Sequence, residues 1–82
     1  MERQEIVEKL DAFVREHFDI GDDPDYDLDV NLFDYGFVDS LGATEIVFFI
    51  EDTFGIEITQ KDITLYPMNT VNEIAEVVAA KF

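Results

Sequence analysis

Residues 39–55 read DSLGATEIVFFIEDTFG, and their pattern predicts one helix with clear ends. Asp39 or Ser40 can cap its amino end, and Gly55 can stop its carboxyl end. A second face of the helix mixes apolar and acidic side chains, so two faces can engage neighbours. The face with the spacing of core residues consists of Ala43, Ile46, Val47, Ile50 and Phe54.

Further helices are predicted on both sides of this segment. Residues 2–18 have the pattern of an amphipathic helix, and the TQKD at 59–62 signals a short helix with Asp at the last position of its capping box. Pro67 ends that region, and the TVNE at 70–73 opens the last helix with a full capping-box match. The apolar stripes are Ile6, Val7, Leu10, Val14 and Phe18, flanked by Phe13, in the first helix and Val71, Ile74, Ala75, Val78 and Phe82 in the last.

The remaining pattern favours an all-α fold. The only β-like stretch, residues 55–59, is short and lies between helices. We therefore expect a small four-helix bundle, with three longer helices and one short helix around a single core, in one domain over residues 1–82.

A long loop is predicted between the first two helices. Residues 19–39 contain eight aspartates and no lysine or arginine, with Gly21, Pro24 and Gly36 as breakers. The segment is too apolar to remain in water, so we expect its own side chains to pack it against the helices. These apolar residues are Leu28, Val30, Leu32, Phe33, Phe37 and Val38.

Composition excludes several classes of function. The 82-residue chain has 48% hydrophobic residues, enough for one small core, and a formal charge of −15. Nucleic acids and anionic membranes attract clusters of lysine and arginine, so we exclude both and expect basic protein surfaces as partners. The absence of cysteine excludes disulfides and thiolate metal sites. The sequence shows neither a secretory signal nor a stretch of membrane-spanning length, so we expect a monomeric, cytoplasmic domain.

The second face of the central helix is a candidate docking surface. It contains the apolar residues Leu41 and Phe48 among polar and acidic ones, namely Thr44, Glu45, Glu51 and Asp52. One alternative is that Phe48 folds into the core, as most aromatic residues at helical spacing do. However, Phe48 and Phe49 lie about 100° apart on a helix, so one core direction cannot easily take both. An apolar anchor surrounded by carboxylates suits a basic partner.

Ser40 at the start of this helix has two interpretations. Its hydroxyl can be a helix cap, which is the common role of a serine in this position. Alternatively, it can be a modification site, because a phosphate-linked group there would lie against the free N–H groups and the positive end of the helix dipole. The helix would then anchor the phosphodiester while the attached arm swings free.

Two segments bear on this choice. Residues 32–41 read LFDYGFVDSL and end in Asp39-Ser40-Leu41, and residues 54–58 read FGIEI. Together they resemble the attachment motif of acyl and peptidyl carrier proteins. With the chain length, acidity and helix order, the resemblance covers residues 11 to 78.

The resemblance implies a function for each of these residues. A phosphopantetheinyl transferase would move 4′-phosphopantetheine from coenzyme A onto Ser40, and Asp39 and Leu41 would help that enzyme to dock. The terminal thiol of the arm would carry an acyl or aminoacyl group as a thioester, so the chain would be a shuttle and not an enzyme. The recognition face for basic partner enzymes would consist of Glu45, Phe48, Glu51 and Asp52, completed by Ile58 and Ile63 near the short third helix.

The cargo has two implied classes. One is an acyl group of fatty-acid, polyketide or related biosynthesis, transferred by a loading ligase and downstream acyl-transfer enzymes. However, GFVDSLG at 36–42, FIE at 49–51 and MNTV at 68–71 are also similar to stand-alone carriers of the D-alanyl type. Those accept an amino acid from a dedicated adenylating ligase.

Three positions depart from the family pattern. Gly42 stands where many members have an acidic residue, which loosens the first helical turn. Thr44 replaces a more usual aliphatic residue, and Phe49 stands where a small residue is common. If Phe49 packs inward, it leaves less room for a long acyl chain, which favours a short or polar cargo.

Three other classes compete with a carrier. A calcium loop at 23–34 has oxygen ligands at its first, third and fifth positions, but Leu28 replaces the turn glycine and Asp34 replaces the bidentate glutamate. A serine hydrolase lacks the Gly-x-Ser-x-Gly elbow, and its only available base is His17, which we interpret as a partly exposed residue at a helix end. An acidic helical adaptor without cargo would use the same face, and only modification at Ser40 distinguishes it from a carrier.

Overall fold

A computed structural model describes residues 1–82 and contains four helices. They are α1 (Arg3–His17), α2 (Ser40–Phe54), α3 (Gln60–Leu65) and α4 (Val71–Ala79). The all-α fold, the helix order and the long connection between α1 and α2 confirm the prediction. None of the four helices is long and apolar enough to cross a lipid bilayer.

One core joins the helices to the long loop. The apolar stripe of α1 faces that of α4, and the core-facing side of α2 and the apolar loop residues close the remaining sides. Phe82 departs from the prediction, because α4 ends at Ala79 and Phe82 lies beyond the helix, exposed, with its ring edge against Phe54. The best-buried residues are Ile6, Leu10, Val14, Leu32, Ile50, Val71, Ala75 and Val78.

Local hydrogen bonds fix where the last two helices start. Thr59 and Asp62 form the capping box of α3, since each side chain accepts from the other residue's backbone N–H. In α4, the Thr70 hydroxyl accepts from Glu73 N at 3.0 Å. The Glu73 carboxylate, however, accepts from Asn69 N at 3.0 Å and not from Thr70. Only half of the predicted capping box therefore forms in α4.

The long loop is attached to α1 by a polar cluster. The Tyr26 hydroxyl donates to Asp11 Oδ1 at 2.7 Å, and the Arg15 guanidinium lies 4.4 Å from the centre of the Tyr26 ring. Arg15 also pairs with Asp11 at 3.0 Å and donates to the carbonyl of Gly21. Burial raises the pKa of Tyr26 well above its usual range, and the hydrogen bond to Asp11 adds to this rise. A buried tyrosine thus anchors the first half of the loop.

The second half of the loop is attached to the start of α4. Leu32 N donates to the carbonyl of Asn69 at 2.9 Å, and Asn72 N donates to the carbonyl of Leu28 at 3.1 Å. The Asn72 side chain also donates to Asp29 Oδ1 at 2.6 Å. The segment before Ser40 is therefore held by backbone pairing as well as by its buried apolar side chains, as predicted for a packed loop.

Candidate functional site

Ser40 is the first residue of α2, and its side chain is exposed and outside the hydrogen-bond network of the chain. The helix cap is Asp39, whose carboxylate accepts from Gly42 N at 2.8 Å. The sequence left open whether Asp39 or Ser40 caps the helix, and the structure assigns this role to Asp39. The structural role that competed with modification of Ser40 is therefore taken by its neighbour.

The amino end of α2 fits a phosphate-linked group on Ser40. Neither the Ser40 N–H nor the Leu41 N–H donates to a backbone carbonyl, so both remain available to phosphate oxygens. The partial positive charge of the helix dipole lies at the same end. The first turn can therefore hold an anion without a basic side chain, and the chain has no lysine or arginine between residues 16 and 60.

The predicted docking surface on α2 is exposed at its apolar positions. The Leu41 side chain is 71% exposed and the Phe48 side chain is 65% exposed, so Phe48 does not fold into the core. Asp52 and Thr44 are also exposed on this side. Phe49 takes the inward direction instead, which explains how a helix with adjacent phenylalanines keeps one of them in solvent.

Two carboxylates of the docking surface form hydrogen bonds with other residues of the protein. Glu45 Oε2 lies 2.6 Å from His17 Nε2 at the end of α1. Glu51 Oε2 accepts from Ile58 N at 3.0 Å, and this bond holds the connection from α2 to α3. Both side chains are half-buried. The sequence could not show these pairings, since the partners are 28 and 7 residues apart.

The prediction that Ile58 completes the docking surface is wrong, whereas Ile63 is accessible. Ile58 is only 7% exposed and belongs to the hydrophobic core, and its backbone N–H donates to Glu51 just before α3 begins. Ile63, on the outer side of α3, is 48% exposed. The structure thus places Asp39, Ser40, Leu41, Glu45, Phe48, Glu51 and Asp52 on one helix or its cap, with Ile63 on α3.

Phe49 packs inward, against the ring of Phe13. Its ring stacks on Phe13 of α1 with 4.0 Å between ring centres and 14° between planes. It therefore fills the space between α1 and α2, away from α3.

A shallow groove of about 350 Å³ lies between α2 and α3. Its floor is closed by Ile46 and Ile74, which are nearly fully buried. The sequence does not show this groove, because four separate segments form it: the long loop, α2, residues 63–69 and α4. The one signal was the apolar run at 63–68, ITLYPM, in a segment too short to bury it. The other lining residues are Phe33, Ala43, Val47, Ile63, Thr64, Leu65, Tyr66, Pro67, Met68 and Asn69.

Comparisons with known proteins show which family the chain belongs to. The family described as "Phosphopantetheine attachment site" matches residues 8–78, which is most of the chain. The chain belongs to this family of phosphopantetheine-binding carrier proteins. Its members hold 4′-phosphopantetheine covalently, so the chain is a carrier protein with that cofactor, and transferases and cargo-transferring enzymes are its general partners.

A curated relative agrees with this assignment. The carrier is 35% identical over 73 residues to the D-alanyl carrier protein of Streptococcus uberis (strain ATCC BAA-854 / 0140J). The match covers 89% of this chain and 85% of that protein. No solved structure gives a significant match to the chain.

Proposed function

We propose that Ser40 is the attachment residue and that the carrier shuttles a small aminoacyl group between partner enzymes without catalysing a reaction itself. The observation that supports this most is the free, exposed hydroxyl of Ser40 at the start of α2, where Asp39 already provides the cap. The phosphodiester would lie against the open N–H groups of the first turn. The arm supplies a thiol that can hold a carboxylic acid as a thioester.

The docking surface that we propose consists of Leu41, Glu45, Phe48 and Asp52 on α2 together with Ile63 on α3. Its three exposed apolar residues can enter shallow pockets of a partner, and the carboxylates around them can meet its basic side chains. Asp39 and Leu41, beside Ser40, would contact the transferase that adds the arm. Glu51 contributes by fixing the approach to α3, since its carboxylate is bonded to Ile58 N.

Two observations favour an aminoacyl cargo over a fatty-acid or polyketide chain. The relative that matches most of this chain is a D-alanyl carrier protein by name. In addition, the groove beside α2 is closed at its floor by Ile46 and Ile74. A long acyl chain could enter the protein only by separating well-packed helices, which is costly in a close-packed core. A short, polar group needs no such cavity.

Attachment can be tested by intact mass after incubation with coenzyme A and a broad-specificity phosphopantetheinyl transferase. We expect the parent chain to gain the mass of one phosphopantetheine and Ser40→Ala to gain nothing. Because Ser40 is the only serine in the chain, a single added group that the variant lacks identifies the position. A folded parent that gains nothing would refute the attachment and favour an adaptor without cargo.

The cargo can be tested on the modified carrier. We expect D-alanine, ATP and a D-alanine-activating ligase to add one aminoacyl mass, while octanoate with an acyl-activating ligase adds none. The unmodified chain is the control, since it lacks the thiol. Loading of octanoate but not of D-alanine would refute the aminoacyl cargo and leave the attachment at Ser40 intact.

A further inference from the structure

The last residue of α1 is joined directly to the docking surface. His17 Nε2 and Glu45 Oε2 are 2.6 Å apart, and both side chains are 39% exposed. Glu45 lies four residues after Leu41 and three before Phe48, so it stands on the same stripe of α2 between the two exposed apolar residues. The carboxylate at the centre of the docking surface is therefore shared with α1.

Packing holds the imidazole of His17 in this position. Its ring stacks on Phe13 with 4.8 Å between centres and meets the ring of Phe18 edge-on at 4.9 Å. A side chain held on two sides loses little further freedom when it pairs with Glu45. The packing of the His17 ring thus orients it toward Glu45 at the junction of α1 and α2.

Carboxylates are the charged groups around His17. The charged groups that face its ring are Glu45 from α2 and Glu16, which shares its surface hollow on α1. Phe13 and Phe18 supply the uncharged sides. No lysine or arginine occurs between residues 16 and 60, so His17 is the sole potential cation in that whole stretch.

We propose that His17 is a positioning residue for docking, which occupies Glu45 when its imidazole is protonated and yields it to a basic partner when neutral. This inference rests on the proposed docking role of the α2 surface. The imidazolium neutralises Glu45 and competes with a lysine or arginine of the partner for the same carboxylate oxygens. Docking on a basic enzyme should consequently be weaker at about pH 5.5 than at about pH 8.

The test compares the wild-type carrier with His17→Gln as substrates of the phosphopantetheinyl transferase, at about pH 8 and about pH 5.5. The ratio of the two KM values at one pH cancels the pH dependence of the transferase itself. We expect this ratio to be close to one at the higher pH. At the lower pH we expect the wild-type KM to exceed that of the variant by about two- to fivefold, the range of an exposed ion pair, with kcat unchanged.

Two further variants separate this role from a structural one. His17→Phe retains the stacking on Phe13 but has no ring nitrogen, so it should match His17→Gln at both pH values. Asp52→Asn removes an exposed carboxylate of the same surface that has no histidine partner, and it should raise KM by the same factor at both pH values. A wild-type to His17→Gln ratio that does not change with pH would overturn the inference while modification at Ser40 still succeeds. No modification of any variant would overturn the proposed function and this inference with it.

Discussion

The ring of Phe18 lies directly against the backbone of Gly42 in the first turn of α2. A Cβ built on Gly42 would lie only 2.7 Å from Phe18 Cε1 and 2.9 Å from Val38 Cγ1. Non-bonded carbon atoms prefer separations of about 3.5–4.0 Å, so glycine permits this approach and a larger residue does not. From the sequence we expected Gly42 to loosen the first turn of the helix. The structure explains instead why glycine is needed there, since Phe18 and Val38 leave no space for a side chain two residues after Ser40.

We therefore expect Gly42→Ala to destabilise the fold although alanine favours helices. Alanine is better than glycine in a helix by about 1 kcal/mol, but overpacking costs about 1–3 kcal/mol. Because the neighbours are an aromatic ring and a buried valine, the free energy of unfolding should fall by about 1 kcal/mol in a urea titration. Thr53→Ala, at an exposed position of α2, is the control for helix propensity alone and should not be destabilising. A Gly42→Ala variant more stable than the parent would contradict the packing role.

Asp39 caps α2, whereas the Ser40 hydroxyl makes no hydrogen bond within the protein, so substitutions at the two positions should affect stability differently. Asp39→Ala removes the acceptor for Gly42 N and should lower the free energy of unfolding by about 1 kcal/mol, while Asp39→Asn keeps an oxygen acceptor and should lose much less. Ser40→Ala removes an exposed, unbonded hydroxyl and should change the stability by less than about 0.5 kcal/mol. Chemical denaturation of the three variants checks this. A Ser40→Ala variant destabilised as much as Asp39→Ala would return the capping role to Ser40.

Local patterns in the sequence were sufficient to predict the helices. The capping box at Thr59 and the turn at Gly55 lie within a few residues of the helix ends that they determine. The exposure of Phe48 also followed from local geometry, because Phe49 takes the inward direction. These features depend on neighbours along the chain, which is what a single sequence displays.

The features that the sequence could not predict depend on contacts between distant segments. His17 meets Glu45 across 28 residues, and Gly42 meets Phe18 across 24, so no spacing rule connects them. Ile58 was misplaced for a similar reason. Its apolar side chain fits a docking surface or a core equally well, and only contacts with distant segments decide that it belongs to the core.

The junction of α3 with the chain end should show a measurable dependence on pH. Lys81 Nζ lies 2.6 Å from Asp62 Oδ2, and this hydrogen bond, with that from Thr59 N, lowers the pKa of Asp62 from 3.8 to about 2. A carboxyl whose pKa is lower in the folded state stabilises the fold above its unfolded pKa, and this contribution is lost as the pH falls through the folded pKa. The contribution should be complete above about pH 4 and vanish toward pH 2.

Thermal unfolding of the wild type and Lys81→Met over this pH range measures the effect. We expect the variant to unfold at a lower temperature near neutral pH, because Asp62 loses its strongest partner. The difference between the two midpoints should shrink as the pH falls from about 4 to about 2, when Asp62 becomes protonated in both chains. Arg3 is a matched control, because its pair with Glu76 is longer, at 3.5 Å, and exposed. Arg3→Met should show a smaller loss at neutral pH, and a difference for Lys81→Met that stays constant to pH 2 would contradict the assignment to Asp62.

Residues 16–60 contain thirteen carboxylates and no lysine or arginine, so repulsion between these charges should destabilise the fold. Raising the salt concentration from low to moderate should increase the midpoint of thermal unfolding, because exposed charges repel one another less when screened. The double variant Asp22→Asn/Asp25→Asn removes two exposed loop carboxylates that accept no hydrogen bond, so it should melt higher than the wild type at low salt and respond less to added salt. Magnesium and calcium at equal ionic strength should act alike, because Asp23 and Asp27 each use a carboxylate oxygen to bind the backbone N–H two residues on. A midpoint that calcium alone raises would instead support the calcium loop at 23–34, and a midpoint unaffected by any salt would show that repulsion does not limit this fold.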